Sequence, residues 1–321
     1  MSVPRVLITR RVPPPAVELL RDAGLAADVC DQDDPPDRPT LLKRVPGVAG
    51  LITMLSERVD GELLKAAGPS LRVVANFAVG FDNIDIPACA AAGVRVTNTP
   101  GVLTDATADL AWALILSAAR RVVEGDKLVR SGQWTGWTPL QLLGLQLTGS
   151  TLGLVGAGRI GTAVGLRSLG FGMNVLYADE RVNPELEQRV GAKRVALDQL
   201  LPAADVLSLH VPLTPQTRHL INAARLATMK PTAILINTSR GPVVDEAALV
   251  AALRNRRIAA AGFDVYEHEP RLTPGLADLP NVVLLPHLGS AATATRQKMS
   301  RMVAENVIAV LSGREPPNPV N

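Results

Sequence analysis

Short apolar runs recur along the chain, and helix-like stretches follow most of them. RVLIT (5–9) leads into PPAVELLRDAG, and GLIT (50–53) precedes GELLKAAG. LRVVANFA (71–78) and VRVTN (94–98) come next. The rhythm resumes with TLGLVGAG (151–158), NVLYAD (174–179), DVLSLHVP (205–212), AILINTSRG (233–241), AAAGFDV (259–265) and NVVLLPH (281–287). Runs that stay apolar without alternating predict strands buried on both faces, as in parallel sheets flanked by helices. The fold class read from this pattern is α/β, with doubly wound parallel sheets.

Two segments break the rhythm. VTNTPGVLTDATADLAWALILSAARR begins with a turn and continues almost wholly apolar, which predicts a buried helix with Thr104 or Asp105 at its N-cap. ATATRQKMSRMVAENVIAVLSG predicts a second long helix after LLPHLGS. Both helices are expected to run between domains. The chain then leaves a first domain near residue 98 and returns near 288. The expected units are 1–98 with 288–321, and an inserted 99–287.

Length agrees with this division, since 321 residues suit two domains. Apolar residues at 47% and charged residues at 20% describe an ordinary globular chain. Aromatic content of 3%, a net charge of +3 and no Lys/Arg run longer than a pair argue against a nucleic-acid surface. Cys30 and Cys89 lack CxxC spacing and read as buried, reduced thiols. The start, MSVPRVLITRRV, has too short an apolar run for a signal peptide or membrane span, so a cytoplasmic protein with no membrane partner is expected.

GAGRIG (156–161) carries the first chemical signal. The motif alone is weak, but a predicted strand precedes it, a helix follows, and the next strand ends in Asp179. Gly156 permits a tight turn, Gly158 lets backbone approach a pyrophosphate, and Gly161 allows the helix to pack closely on the strand. Free amides at the start of that helix, where Arg159 and Ile160 stand, suit phosphate. Asp179 can accept hydrogen bonds from a ribose 2′-hydroxyl and repels a 2′-phosphate, which favours NAD(H). Arg181 can pair with a phosphate, so NADP(H) stays open.

Three polar residues each follow an apolar run: Arg240, Glu269 and His287. Carboxyl ends of parallel strands converge on a ligand crevice. Hydride transfer to a ketone needs a proton for the developing alkoxide, and an imidazolium supplies one near neutral pH. A carboxylate beside the ring stabilises imidazolium and orients it. An arginine can grip a substrate carboxylate through two hydrogen bonds. Of the other histidines, His210 is expected beside the cofactor and His219 at the surface. His268 is the rival for the acid–base role. No group of His, Cys and Asp has metal-ligand spacing, so no metal is expected.

The ordered set NFAVGFDNID, GAGRIG, SLHVPLTPQTRHLI, INTSRGPVVDEAAL, AAAGFDVYEHEP and LLPHLGSA resembles the D-isomer-specific 2-hydroxyacid dehydrogenases over essentially the whole chain. TPGVLTDATADLAWALILSAARR and SGQWTGWTPLQLLG are most similar to the glyoxylate/hydroxypyruvate reductase branch. The resemblance implies a Rossmann NAD(P)-binding domain inserted in a flavodoxin-like substrate domain. It also implies a homodimer formed through the Rossmann domains, and a small 2-keto or 2-hydroxy acid as substrate. Arg240, Glu269 and His287 match the catalytic set. Val79 and Gly80 match backbone donors to the substrate carboxylate, with Ser290 nearby. Thr104, Pro212, Thr217, Thr238 and Asp264 match the nicotinamide side, and Gly289 follows the histidine loop. Trp137, with Trp134, either reaches a partner's substrate site or packs in the dimer interface.

Other branches fit less well. Glu269 stands where a formate dehydrogenase has glutamine, and Val79 where a phosphite dehydrogenase has lysine. Dehydrogenases of other D-2-hydroxy acids (3-phosphoglycerate, D-lactate, 2-ketogluconate) stay open as alternatives. A dinucleotide-sensing corepressor is the reading from another class.

Overall fold

The computed structural model describes residues 3–321. Two compact units form, Met1–Leu103 with Ser290–Asn321, and Thr104–Gly289, so the second interrupts the first in sequence.

In the first unit, β1 (Arg5–Ile8), β2 (Ala26–Val29), β3 (Gly50–Thr53), β4 (Val73–Asn76) and β5 (Arg95–Thr97) make one parallel sheet in the order 2-1-3-4-5. That is the flavodoxin-like order of doubly wound folds. β3 and β4 are buried throughout, as their unbroken apolar runs require. Helices Ala16–Asp22 and Thr293–Leu311 pack together on one face through Leu20, Val303 and Val307.

The second unit holds β6 (Thr151–Val155), β7 (Asn174–Ala178), β8 (Lys193–Arg194), β9 (Val206–Leu209), β10 (Ile234–Asn237), β11 (Ala260–Phe263) and β12 (Val282–Leu284). Its parallel order is 12-11-10-9-6-7-8. The sequence of strands reverses between β6 and β9, and ligands of such sheets bind at that switch point, beyond the carboxyl ends. This is a Rossmann sheet with one added strand at the β12 edge. Helix Thr104–Ala119 lies against β10, β11, β12 and the helix Arg159–Arg167. Its exposed side carries Asp105 and Asp109, both paired with Arg167 at 3.0 and 2.8 Å.

The expected boundaries at 98/99 and 287/288 move to 103/104 and 289/290. At the first, the amide of Thr99 donates to the Ala78 carbonyl and keeps the turn with the first unit. At the second, Asp264 accepts the amides of Leu288 (2.6 Å) and Gly289 (2.8 Å), and the Thr107 hydroxyl donates to the Gly289 carbonyl. Those bonds hold the residues after His287 in the second unit.

Candidate active site

Each charged residue of the expected trio is set by a local structure at a strand's carboxyl end. After β10 the chain turns sharply because buried Asn237 organises it. Its Oδ1 accepts the amide and hydroxyl of Ser239, and its Nδ2 donates to the Arg240 carbonyl at 2.9 Å. The Arg240 guanidinium donates to the Ser239 carbonyl. After β11, Glu269 folds back so that one carboxylate oxygen accepts the Tyr266 amide at 3.0 Å. Tyr266 is buried, and its hydroxyl donates to the Leu285 carbonyl at 2.8 Å, tying this loop to the segment after β12.

His287 follows that segment with a φ of 56°, in the left-handed region that side chains disfavour. Strain of this kind persists where surrounding bonds impose it. Here the two Asp264 bonds to Leu288 and Gly289 do so. Imidazole Nδ1 then lies 2.9 Å from the second Glu269 oxygen.

Burial alone raises the Glu269 carboxyl. The hydrogen bond and charge of His287, the Tyr266 amide and the charge of Arg240 outweigh it and hold the group below its ordinary value. Asp264, buried and near the Glu269 charge, is pushed up despite the amides of Leu288 and Gly289 and the charge of His287. The structure therefore brings Arg240, Glu269 and His287 together. His268, the rival, is exposed, and among the described residues its one contact of this kind is a backbone bridge to Arg271.

The glycine loop lies at the switch point. Gly156 has a φ of 93°, and a Cβ there would stand 2.8 Å from the His210 carbonyl carbon. At Gly161 a Cβ would meet the Gly156 carbonyl oxygen at 2.1 Å. At Gly158, the N-cap of helix Arg159–Arg167, nothing lies within 4 Å of such an atom. The first two glycines are demanded by the fold, whereas the third leaves room beside the helix amides at Arg159 and Ile160. Asp179 is fixed by the Ala157 amide (2.7 Å) on one oxygen and the Arg181 amide (3.0 Å) on the other. The Arg181 side chain is exposed.

His210 Nε2 bonds the Ser208 hydroxyl at 2.9 Å, while its buried Nδ1 has no hydrogen-bond partner among the described residues. Burial lowers its pKa to about 4, so the ring is neutral. Thr238 Oγ1 is likewise buried without a partner among the described residues. The Thr217 hydroxyl closes the turn after β9 by donating to the Pro212 carbonyl. A Gly-lined opening at a helix start, an anchored carboxylate and two orphaned polar atoms fit a nicotinamide dinucleotide. Gly156, Gly158, Gly161, Asp179, His210 and Thr238 are the residues that would hold it.

In the first unit, the loop after β4 is held by two asparagines. Asn98 donates to the Val79 carbonyl and Asn76 to the Gly80 carbonyl, both at 2.7 Å. No hydrogen bond from the Val79 or Gly80 amide is formed among the described residues. The Ser290 carbonyl accepts the Ala292 amide, opening the last helix. Trp137, in the second unit, is 82% exposed. Asn237, Tyr266 and the use Asp264 makes of its oxygens were not singled out from sequence. Only the run NTSRG, with Asn before a polar turn, carries a local signal for any of them. Among the described residues no cluster suits a metal ion, and no helix is long and apolar enough to cross a membrane.

Residues 112–289 match the family model for the NAD binding domain of D-isomer specific 2-hydroxyacid dehydrogenases. A glyoxylate reductase of Thermococcus onnurineus is 50% identical, over 99% of this chain and 96% of its own length. A crystal structure from Thermus thermophilus, 50% identical, superposes with a TM-score of 0.92 over 99% of this chain and all of that one. An NADPH-dependent glyoxylate/hydroxypyruvate reductase of Sinorhizobium meliloti, solved with NADP and malonate, is 37% identical, with a TM-score of 0.86 over 99% of this chain and 97% of that one. The chain belongs to the D-isomer specific 2-hydroxyacid dehydrogenase family.

Proposed function

We propose that this chain reduces glyoxylate to glycolate and hydroxypyruvate to D-glycerate. The observation that carries the reading is the His287 Nδ1–Glu269 contact at 2.9 Å beside Arg240, behind a dinucleotide loop. The 50% identity to a glyoxylate reductase supports the substrate class.

When bound, a reduced nicotinamide supplies a hydride to the keto carbon. Glu269 holds Nδ1, which leaves Nε2 of His287 to hand its proton to the carbonyl oxygen as negative charge builds there. The ionised carboxylate stabilises imidazolium until that proton leaves. Arg240 grips the substrate carboxylate and polarises the ketone. The amides of Val79 and Gly80 are proposed as further donors to a substrate carboxylate.

Asp179 supports NADH as the preferred coenzyme, because its carboxylate repels a 2′-phosphate. Arg181 keeps NADPH as a second donor. A homodimer through the second unit is part of the proposal. Its support is the exposed apolar group Val122, Val129, Trp134, Trp137, Leu140 and Leu143. The reading is tested by assaying NADH and NADPH oxidation against glyoxylate, hydroxypyruvate, pyruvate, 3-phosphohydroxypyruvate and 2-ketogluconate. Highest kcat/KM with glyoxylate or hydroxypyruvate supports it, and turnover of none of the five contradicts it.

A further inference from the structure

His219 shares with His287 an uncommon backbone state, with φ at 50°. A residue with a Cβ is held there only by its surroundings. Its amide donates to the Pro242 carbonyl at 2.8 Å. Two residues on, Ile221 donates to the Val243 carbonyl and accepts from the Asp245 amide, both at 3.0 Å. Residues 219–221 are thus lashed alongside the turn that begins with Arg240.

The ring of His219 reaches a different segment. Its Nε2 lies 2.6 Å from Glu267 Oε1, two residues before Glu269. Glu267 is itself locked, since its amide donates to fully buried Glu246 at 2.6 Å. The second oxygen of Glu246 accepts the Thr273 hydroxyl at 2.6 Å. The two segments also touch, for a Cβ on Gly241 would stand 1.9 Å from the Tyr266 carbonyl carbon.

We propose that His219 is a positioning residue for the reduction. Bonded through its backbone to the Arg240 turn and through its ring to the Glu269 segment, it fixes the separation of the two charged groups. The inference rests on the reading of Arg240, Glu269 and His287 given above. His219 has no part in the proton path. It acts through Glu267 and Pro242, and rate is sensitive to such geometry because displacements near 1 Å can cost about 100-fold.

The test compares kcat of the full chain for His219→Ala, Glu267→Ala, the double variant and His219→Gln, with wild type and His287→Gln as references. Glyoxylate is the substrate, with whichever of NADH or NADPH is oxidised faster. Each Ala variant is expected to lose about 10-fold or more in kcat. The double variant should fall within about twofold of the worse single, because both break one link. His219→Gln, whose amide can donate to Glu267, should recover most of the loss. Fluorescence titration should still find one dinucleotide bound per chain, so that the loss is not a loss of folded protein.

Either Ala variant within about twofold of wild-type kcat would overturn the proposal. So would losses that multiply in the double variant, or a Gln variant no better than Ala. Should His219→Ala fail to fold, Glu267→Ala and His219→Gln carry the comparison. His287→Gln separates the two readings: if it keeps turnover, the reduction mechanism fails and this proposal with it. If it is inactive while His219→Ala is unimpaired, the positioning role alone fails.

Discussion

His287 Nδ1 lies 2.9 Å from one oxygen of Glu269, and the other oxygen accepts the Tyr266 amide at 3.0 Å. The carboxylate is therefore held by backbone on one side and offered to imidazole on the other. The His287 hydrogen bond and charge, with the Tyr266 amide and Arg240, hold its carboxyl below the ordinary value against the effect of burial. A group depressed in this way contributes stability above its ordinary pKa and loses it as pH falls through the lowered one. Glu269 is ionised throughout the neutral range.

Replacing Glu269 by Gln keeps a hydrogen-bonding side chain and removes the charge. The expected result is a kcat lowered by about 10- to 100-fold. Steady-state kinetics of the variant with glyoxylate check this, and a kcat within about twofold of wild type would remove Glu269 from the proton donor's environment.

The glycine loop separates folding from binding. Gly161→Ala places a Cβ 2.1 Å from a backbone oxygen and should destabilise the chain by about 1–3 kcal/mol. Gly158→Ala meets nothing within 4 Å, so its Tm should stay near wild type. Its dinucleotide Kd should rise by about 10-fold or more, since the methyl enters the space that phosphate approaches. Thermal melts and binding titrations of the pair distinguish the two effects, and equal Kd values for Gly158→Ala and wild type would count against this loop as the phosphate site.

Asp179, whose two oxygens are fixed by the amides of Ala157 and Arg181, is the residue proposed to select the coenzyme. Asp179→Ala removes the charge that opposes a 2′-phosphate and leaves Arg181 beside it. The ratio of kcat/KM for NADPH to that for NADH should rise by about 10-fold or more. An unchanged ratio would assign the choice elsewhere.

Burial lowers the pKa of His210 from 6.5 to about 4. The unfolded chain then binds a proton that the folded chain refuses between those values, so stability is complete above 6.5 and falls as pH drops toward 4. The loss is on the order of 3 kcal/mol at most. Denaturant melts of His210→Gln should show a shallower decline over that window, and parallel curves would contradict the assignment.

Much of this was legible because it is local. GAGRIG, the apolar runs and the acid at the end of NVLYAD are written in consecutive residues, and β6, β7, β9 and β10 follow them closely. β2 and β8 escaped notice because both are sheet edges, half-exposed or fully exposed, and an edge strand needs no apolar run. The trio Arg240, Glu269 and His287 was readable as strand-end residues plus a family resemblance, although their spacing belongs to the fold. What holds them was not readable. Asp264 binding the amides beyond His287, and His219 reaching a carboxylate 48 residues away, are contacts between segments that share no pattern. The domain boundaries shifted for the same reason.

The central claim is that His287 donates the proton when the ketone is reduced. Steady-state kinetics of His287→Gln with glyoxylate, alongside a dinucleotide titration, test it most directly. The account predicts a kcat at least about 100-fold below wild type, with the dinucleotide Kd within about twofold. Turnover near the wild-type rate in that variant would contradict it.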